Sequence, residues 1–187
     1  MKVLDTALPG CVVIEPAVFG DARGFFYEGW NAERFGQHGL PTRFVQHNVS
    51  HSQRGVLRGL HYQWPNHPQD KLVSVLEGEV FDVAVDIRVG SPSFGQHVAA
   101  LLSADNKRHF RIPVGFAHGF LVLSESALIT YLCTAPYDPA SDNALRWDDP
   151  QLAIDWPMSN VSLSSKDATA PRLAEIATNR LPVYGAP

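Results

Sequence analysis

The feature that most restricts how this chain can fold is a strict two-residue alternation over Val80 to Ile87. Phe81, Val83, Val85 and Ile87 share one face, and Asp82, Ala84 and Asp86 share the other. That is the period of a strand, not of a helix. Short apolar runs of strand length recur at Phe44–Ser50, Leu57–Gln63, Leu72–Leu76, His97–Leu102, Arg108–Ile112, Gly119–Leu123, Ala127–Thr134 and Ala144–Trp147. Between them the 14 glycines and 14 prolines are scattered, with turn signals at Val89-Gly90-Ser91-Pro92 and Tyr137-Asp138-Pro139. Helix is expected only over Asn31–His38, with Asn31 as N-cap, and more weakly around Pro171–Thr178. Many short strands and few helices predict an all-β fold, a sandwich or a jelly-roll barrel.

At 187 residues the chain can bury a sizeable core. It is read as a single domain over 1–187, with an irregular tail over 171–187. Hydrophobic content of 45% and charge of 18% are those of an ordinary globular protein. No apolar run approaches the ~20 residues of a membrane span, and Met1–Thr6 lacks the apolar stretch of a secretory signal. No membrane partner is therefore expected. A formal charge of −4 argues against a nucleic-acid partner, so an anionic ligand has to be met by locally placed arginines and lysines. Cys11 and Cys133 form no C-x-x-C pair, so the cytoplasm is the expected location.

Several residues carry possible chemistry. His61 and Gln63 have the same parity on one expected strand. A histidine titrates near neutrality and can remove and return protons, provided a carboxylate fixes its tautomer; the alternative is a core histidine satisfied by a backbone carbonyl. Lys71 opens the apolar run Leu72–Leu76. It is either a solvated strand end or a charge that stabilises an oxyanion. Tyr131, in Ala127-Leu128-Ile129-Thr130-Tyr131-Leu132, is either a core phenol or a proton donor. Arg23, beside the turn-like Gly20-Asp21-Ala22, and Arg58 offer guanidinium forks for phosphate or are surface residues. The aromatic cluster Phe25-Phe26-Tyr27 with Trp30 is core or a base-stacking wall. In Ser164-Ser165-Lys166-Asp167 the aspartate could be the carboxylate that His61 needs. His38, His47, His51, His67, His97 and His109 match no metal spacing and are read as structural or exposed.

Two segments resemble the cupin motifs. Gly55-Val56-Leu57-Arg58-Gly59-Leu60-His61-Tyr62-Gln63 with Lys71 to Gly78 matches the first, and Pro113-Val114-Gly115-Phe116-Ala117-His118 the second. Two family ligands survive as His61 and His118, but Gln63 stands where the second histidine would be and Lys71 where the glutamate would be. An amide is a poor replacement for imidazole, and a fixed ammonium repels a divalent cation. A pocket altered in this way suits negative charge on a substrate.

Longer runs identify a narrower resemblance, from near residue 1 to about residue 171. Phe19–Glu28, Phe44–Asn48, Gly55–Gln63, Gly78–Asp86, Ser91–Gln96, Ile112–Phe120 and Leu163–Asp167 closely resemble the dTDP-4-dehydrorhamnose 3,5-epimerase family. The resemblance implies a cupin-like jelly roll, a homodimer, and a site with neither metal nor cofactor. It implies a dTDP-4-keto-6-deoxy-sugar as substrate, epimerised at C3 and C5, or, as the alternative, at C3 alone for another deoxysugar. By the same resemblance His61 is the base, Asp167 its orienting carboxylate, Lys71 the partner of the C4 oxygen, and Tyr131 the opposing acid. Substrate contacts would fall to Phe19, Arg23, Glu28, Gln46, Asn48, Arg58, His118, Asp142 and Lys166, some of them from the partner subunit. Asp142 stands where the family has a glutamate, Leu132 where it often has a lysine, and His47 where an aspartate is frequent. A metal-dependent cupin or a non-catalytic sugar-nucleotide binder are the readings from other classes. The first lacks ligands at Gln63 and Lys71, and the second has no use for His61, Lys71, Tyr131 and Asp167 together.

Overall fold

Alternation along each strand divides the apolar side chains between two sheets and the layers that cover them. The computed structural model describes residues 1–185; residues 186 and 187 of the expected tail lie outside it. Strands β1 (Lys2–Asp5), β2 (Val12–Glu15), β5 (Gln46–Gln53), β7 (Lys71–Glu77), β10 (His109–Ile112) and β12 (Ser126–Cys133) form a six-stranded sheet in the order β1-β2-β10-β7-β12-β5. Strands β6 (Leu57–Gln63), β8 (Glu79–Asp86), β9 (His97–Ser103), β11 (Phe116–Val122) and β13 (Asp142–Ala144) form a five-stranded sheet in the order β13-β6-β11-β8-β9. A separate hairpin joins β3 (Val18–Asp21) to β4 (Gly24–Tyr27). All of these pairings are antiparallel.

The core lies between the two sheets, where Val73, Val75, Phe110, Ile112 and Ile129 meet Val80, Leu102, Phe116, Phe120 and Val122. Such side chains each contribute about 1.5–3 kcal/mol on full burial. The outer face of the six-stranded sheet carries a second layer, in which Phe35, Leu40 and Trp30 cover Val12, Ile14 and Leu72. Phe35 is delivered by helix α1 (Ala32–Gly36), whose N-cap Asn31 accepts a hydrogen bond from Arg34 N–H at 3.1 Å, as its sequence position predicts. The outer face of the five-stranded sheet is covered by Leu145, Leu152, Leu173 and Leu181. Strand β8 is therefore buried on both faces: Phe81, Val83 and Val85 face the outer layer, and Asp82 and Ala84 face the interior. Buried Asp86 is satisfied by Arg88, Ser91 and Ser93.

The expected strands are present, with one displacement. The run at Ala144–Trp147 is strand only to Ala144. Leu145 still exchanges hydrogen bonds with Leu60, but Arg146 N–H turns to Pro171 O and Trp147 O accepts from the Trp156 indole. The helix expected around Pro171–Thr178 is reduced to two 3-10 turns, Leu173–Glu175 and Thr178–Arg180: Glu175 caps the first by accepting from Arg172 N–H, Asp149 accepts from Leu173 N–H, and extended backbone at Ile176 ends it. A short helix α2 (Ser165–Ala168) was not expected; Ser164 caps it by accepting from Asp167 N–H. Strands β1 to β4 were also missed, being only four residues each.

One contact fixes how β6 meets β11. A Cβ on Gly59 would stand 2.5 Å from Gly119 Cα, and Gly59 has φ +133°, a conformation L side chains avoid. The register between the two strands shifts here, from His61↔His118 to Arg58↔Phe120. This β-bulge lets Arg58 and His61, three residues apart, both lie opposite interior-facing residues. Gly59→Ala is expected to destabilise the protein by roughly 2 kcal/mol or more. Denaturant unfolding checks this, and a loss below about 0.5 kcal/mol would show that the backbones can separate freely.

Candidate active site

Toward one end the space between the sheets is no longer filled by apolar side chains. It opens as a cavity of about 350 Å³ lined by Gln46, Asn48, His61, Tyr62, Gln63, Gln69, Lys71, Tyr131, Tyr137, Asp142 and Lys166. The five-stranded sheet supplies His61 from β6 and Asp142 from β13; the six-stranded sheet supplies Lys71 from β7, Tyr131 from β12, and Gln46 and Asn48 from β5. His61 and Tyr131 thus enter from opposite walls.

His61 Nε2 is 2.6 Å from Asp167 Oδ1, and Asp167 is 2% exposed. Burial alone would push the Asp167 carboxyl up. Hydrogen bonding to His61 and its charge, with the Ser164 hydroxyl and the Gly59 N–H, outweigh burial and hold it below the usual carboxylate range. With Nε2 engaged, Nδ1 is the nitrogen left to accept a proton. Lys71 is pushed down by burial, against which Cys133, Asp82 and Asp142 act to keep it charged. Burial pushes the Tyr131 phenol up, which keeps it protonated and able to donate.

His118 is the register partner of His61 and lies buried behind the cavity, its Nε2 2.9 Å and 3.0 Å from the two Asp82 oxygens. Burial pushes His118 down and Asp82 up, and their attraction opposes both shifts. Gln63 is fully engaged in structure. Its amide donates to His67 O and to Pro136 O at 3.0 Å, and its carbonyl accepts from Asp138 N–H at 2.9 Å. It thereby ties together the loops on either side of the cavity mouth. Among the described residues no three His, Cys, Asp or Glu side chains cluster to hold a metal ion.

At the rim, Lys166 Nζ is 2.5 Å from Asp142 Oδ2, and the Tyr137 hydroxyl donates to the same oxygen at 3.1 Å. Gln46 accepts from Tyr137 N–H at 2.7 Å and donates to Asn48 at 3.0 Å. Arg58 lies in an adjoining cavity of about 300 Å³ shared with His61, Ser164 and Asp167, its Nε donating to Ser52 at 3.0 Å.

Five expected contact residues do not line the cavity that holds Lys71 and Tyr131: His118 lies behind it, Arg58 lines the adjoining one, and Phe19, Arg23 and Glu28 stand outside both. Phe19 and Arg23 stand on the β3–β4 hairpin, 64% exposed in one case and with a 90% exposed side chain in the other; Arg23 pairs with Asp21. Glu28, just past the hairpin, binds Asn31 and faces Arg34. Two cavity features escaped the sequence reading. Asp82 was visible only as the polar side of an alternating strand, and Tyr137 only as part of a turn. The Ser164-x-x-Asp167 spacing was a capping signal that could have located α2.

A family model described as dTDP-4-dehydrorhamnose 3,5-epimerase matches residues 5–175. The chain belongs to this family. It is 51% identical over 184 residues to the dTDP-4-dehydrorhamnose 3,5-epimerase of Escherichia coli K12, covering 97% of this chain and 99% of that protein. The enzyme of that name from Salmonella typhimurium is 51% identical over 175 residues, covering 92% and 96%. The crystal structure of dTDP-6-deoxy-D-glucose-3,5-epimerase from Legionella pneumophila in complex with dTDP-4-keto-L-rhamnose superposes with a TM-score of 0.96 at 55% identity over 99% of both chains. The protein is thus an enzyme of the sugar-nucleotide isomerase class with the cupin-like jelly roll that its sequence predicts. No helix among the described residues is long and apolar enough to cross a membrane.

The depressed Asp167 carboxyl has a consequence for acid stability. A carboxylate bound below its unfolded value stabilises the fold above about pH 4, and that contribution is lost as pH falls through the folded value. Asp167→Asn should therefore be less stable than the parent at pH 7, with the difference shrinking as pH falls below about 4. Urea unfolding as a function of pH checks this, and a pH-independent difference would show that Asp167 acts through packing alone.

Proposed function

We propose that the chain epimerises dTDP-4-dehydro-6-deoxy-D-glucose at C3 and C5 to dTDP-4-dehydro-L-rhamnose by acid–base chemistry without metal or cofactor. The observation that carries the reading is the His61–Asp167 pair at 2.6 Å, in one cavity with Lys71 and across from Tyr131. A C4 ketone acidifies the hydrogens on C3 and C5, because either carbanion is delocalised as an enolate. His61 takes the proton from one face, Lys71 holds the enolate oxygen in a low-dielectric site, and Tyr131 returns a proton to the other face. Asp167 keeps the imidazole in the tautomer that accepts at Nδ1. His118, held by Asp82, lies close to the sugar, behind His61.

The cavity is at the small end of the ~300–1,000 Å³ range of ligand pockets, enough for the hexose but not for the whole sugar nucleotide. The nucleotide lies along the rim, where Gln46, Asn48, Asp142 and Lys166 stand and the exposed Tyr137 ring offers a stacking surface. Arg58 takes part in holding the diphosphate. The enzyme acts in the cytoplasm as a homodimer in which the partner's hairpin completes the site. This accounts for the exposure of Phe19, Phe25 and Phe26, 62–68% each, away from the cavity of their own subunit.

Incubation with dTDP-4-keto-6-deoxyglucose in heavy water tests the reading. Deuterium is expected at C3 and C5, and His61→Asn is expected to lower exchange at both by about 1,000-fold or more, with dTDP affinity nearly unchanged. Label at C3 alone would make this a 3-epimerase. Stoichiometric metal required for activity would overturn the metal-free mechanism.

Shared sites have their own test. Arg23→Ala should weaken dTDP binding about tenfold by calorimetry. Co-expressed Arg23→Ala and His61→Asn chains should regain activity, because one site of each mixed dimer then has both residues intact. No recovery would place Arg23 in the site of its own chain.

A further inference from the structure

We propose that Arg180 is a positioning residue that clasps the edge strand β13 to β6 and so sets the Asp142–Lys166 wall of the substrate cavity. The proposal rests on the functional reading above for what that wall binds. Arg180 lies beyond the matched residues 5–175, in a tail that the sequence reading left without a role.

Strand β13 is three residues long and stands at the sheet edge, where among the described residues it pairs with β6 alone. Its central residue, Asn143, is the register partner of Tyr62, and both are buried. Arg180 engages both members of this pair. Its Nη2 donates to Asn143 Oδ1 at 2.5 Å, and its backbone carbonyl accepts from the Tyr62 hydroxyl at 3.2 Å. Asn143 Nδ2 in turn donates to Trp64 O at 3.0 Å and Ser141 O at 2.8 Å, so the clasp reaches the loops flanking both strands.

The chain neighbours of the clasped pair are cavity residues, His61 beside Tyr62 and Asp142 beside Asn143. The two differ in how else they are held. Strand β6 is paired on its other side with β11, and His61 is bound by Asp167. Asp142 stands on the short edge strand, whose main chain is paired with β6, and its carboxylate is held at the rim by Lys166 and Tyr137. Between the tail and this wall lies a cleft of about 440 Å³, lined in part by Asp142, Asn143, Lys166, Glu175 and Arg180, so no solid packing replaces the clasp. Loss of the Arg180 side chain therefore loosens Asp142, and with it Lys166, more than it disturbs the base.

The test compares Arg180→Ala and Arg180→Lys with the parent protein by steady-state kinetics on the 4-keto sugar nucleotide, dTDP titration calorimetry and amide hydrogen exchange. Arg180→Ala is expected to raise KM and the dTDP Kd about fivefold or more, leave kcat within about twofold, and speed exchange at 142–144 while β6 stays protected. Arg180→Lys, which keeps a donor for Asn143, should recover most of the affinity. Unchanged KM, Kd and exchange would overturn the proposal. So would a fall in kcat with protection lost across β6, which marks a general structural role. Amide exchange needs no substrate, so the clasp is judged by it even if the parent protein fails to turn over the sugar nucleotide, a result that would count against the functional reading instead.

Discussion

The close approach of β6 and β11 at Gly59 and Gly119 is the contact on which the candidate site depends. With no side chain at either position the backbones come nearer than any Cβ allows. The resulting bulge brings Arg58 and His61 to the same side of the sheet and sets His61 opposite His118. It also brings Gly59 within hydrogen-bonding reach of Asp167. The orientation of the imidazole is thus determined by main chain as much as by side chains, which makes it insensitive to motion in the loops around the mouth.

The same interior holds two different environments. One end is filled by Val75, Phe110, Ile129, Phe120 and their neighbours. The other keeps Lys71, Asp82 and His118 largely out of water, and an isolated buried charge costs several kcal/mol. Their mutual attraction lowers that cost without removing it, as the opposing pushes on Asp82 and His118 show. The apolar end offsets the remainder. Stability and chemistry are therefore separated along one barrel rather than between layers.

Much of this was legible in the sequence because a period of two is a property of neighbours. The β8 alternation, the Leu57–Gln63 strand and the Asn31 cap all appear as read. Four-residue strands such as Val12–Glu15 carry too few alternations to stand out, and they are held by pairing with β10, which is remote in sequence. Asp82 illustrates the same limit: its neighbours show that it shares a face with Ala84, but not that this face is buried or that His118 awaits it. The meeting of His61 with Asp167, 106 residues apart, was open in the residues only as a candidate carboxylate, and the resemblance singled it out.

His61 and Tyr131 stand on different sheets, and the apolar layer between those sheets helps to set their separation. Val75, Phe110 and Ile129 on one side, with Phe120 and Val122 on the other, therefore act as a spacer for the chemistry. The gap across the sugar ring is a dimension of the hydrophobic core. Drift in core volume that stability tolerates would still tilt one wall against the other, altering the distance between His61 and Tyr131. In such a barrel the width of the site can change by repacking, with every cavity side chain left in place.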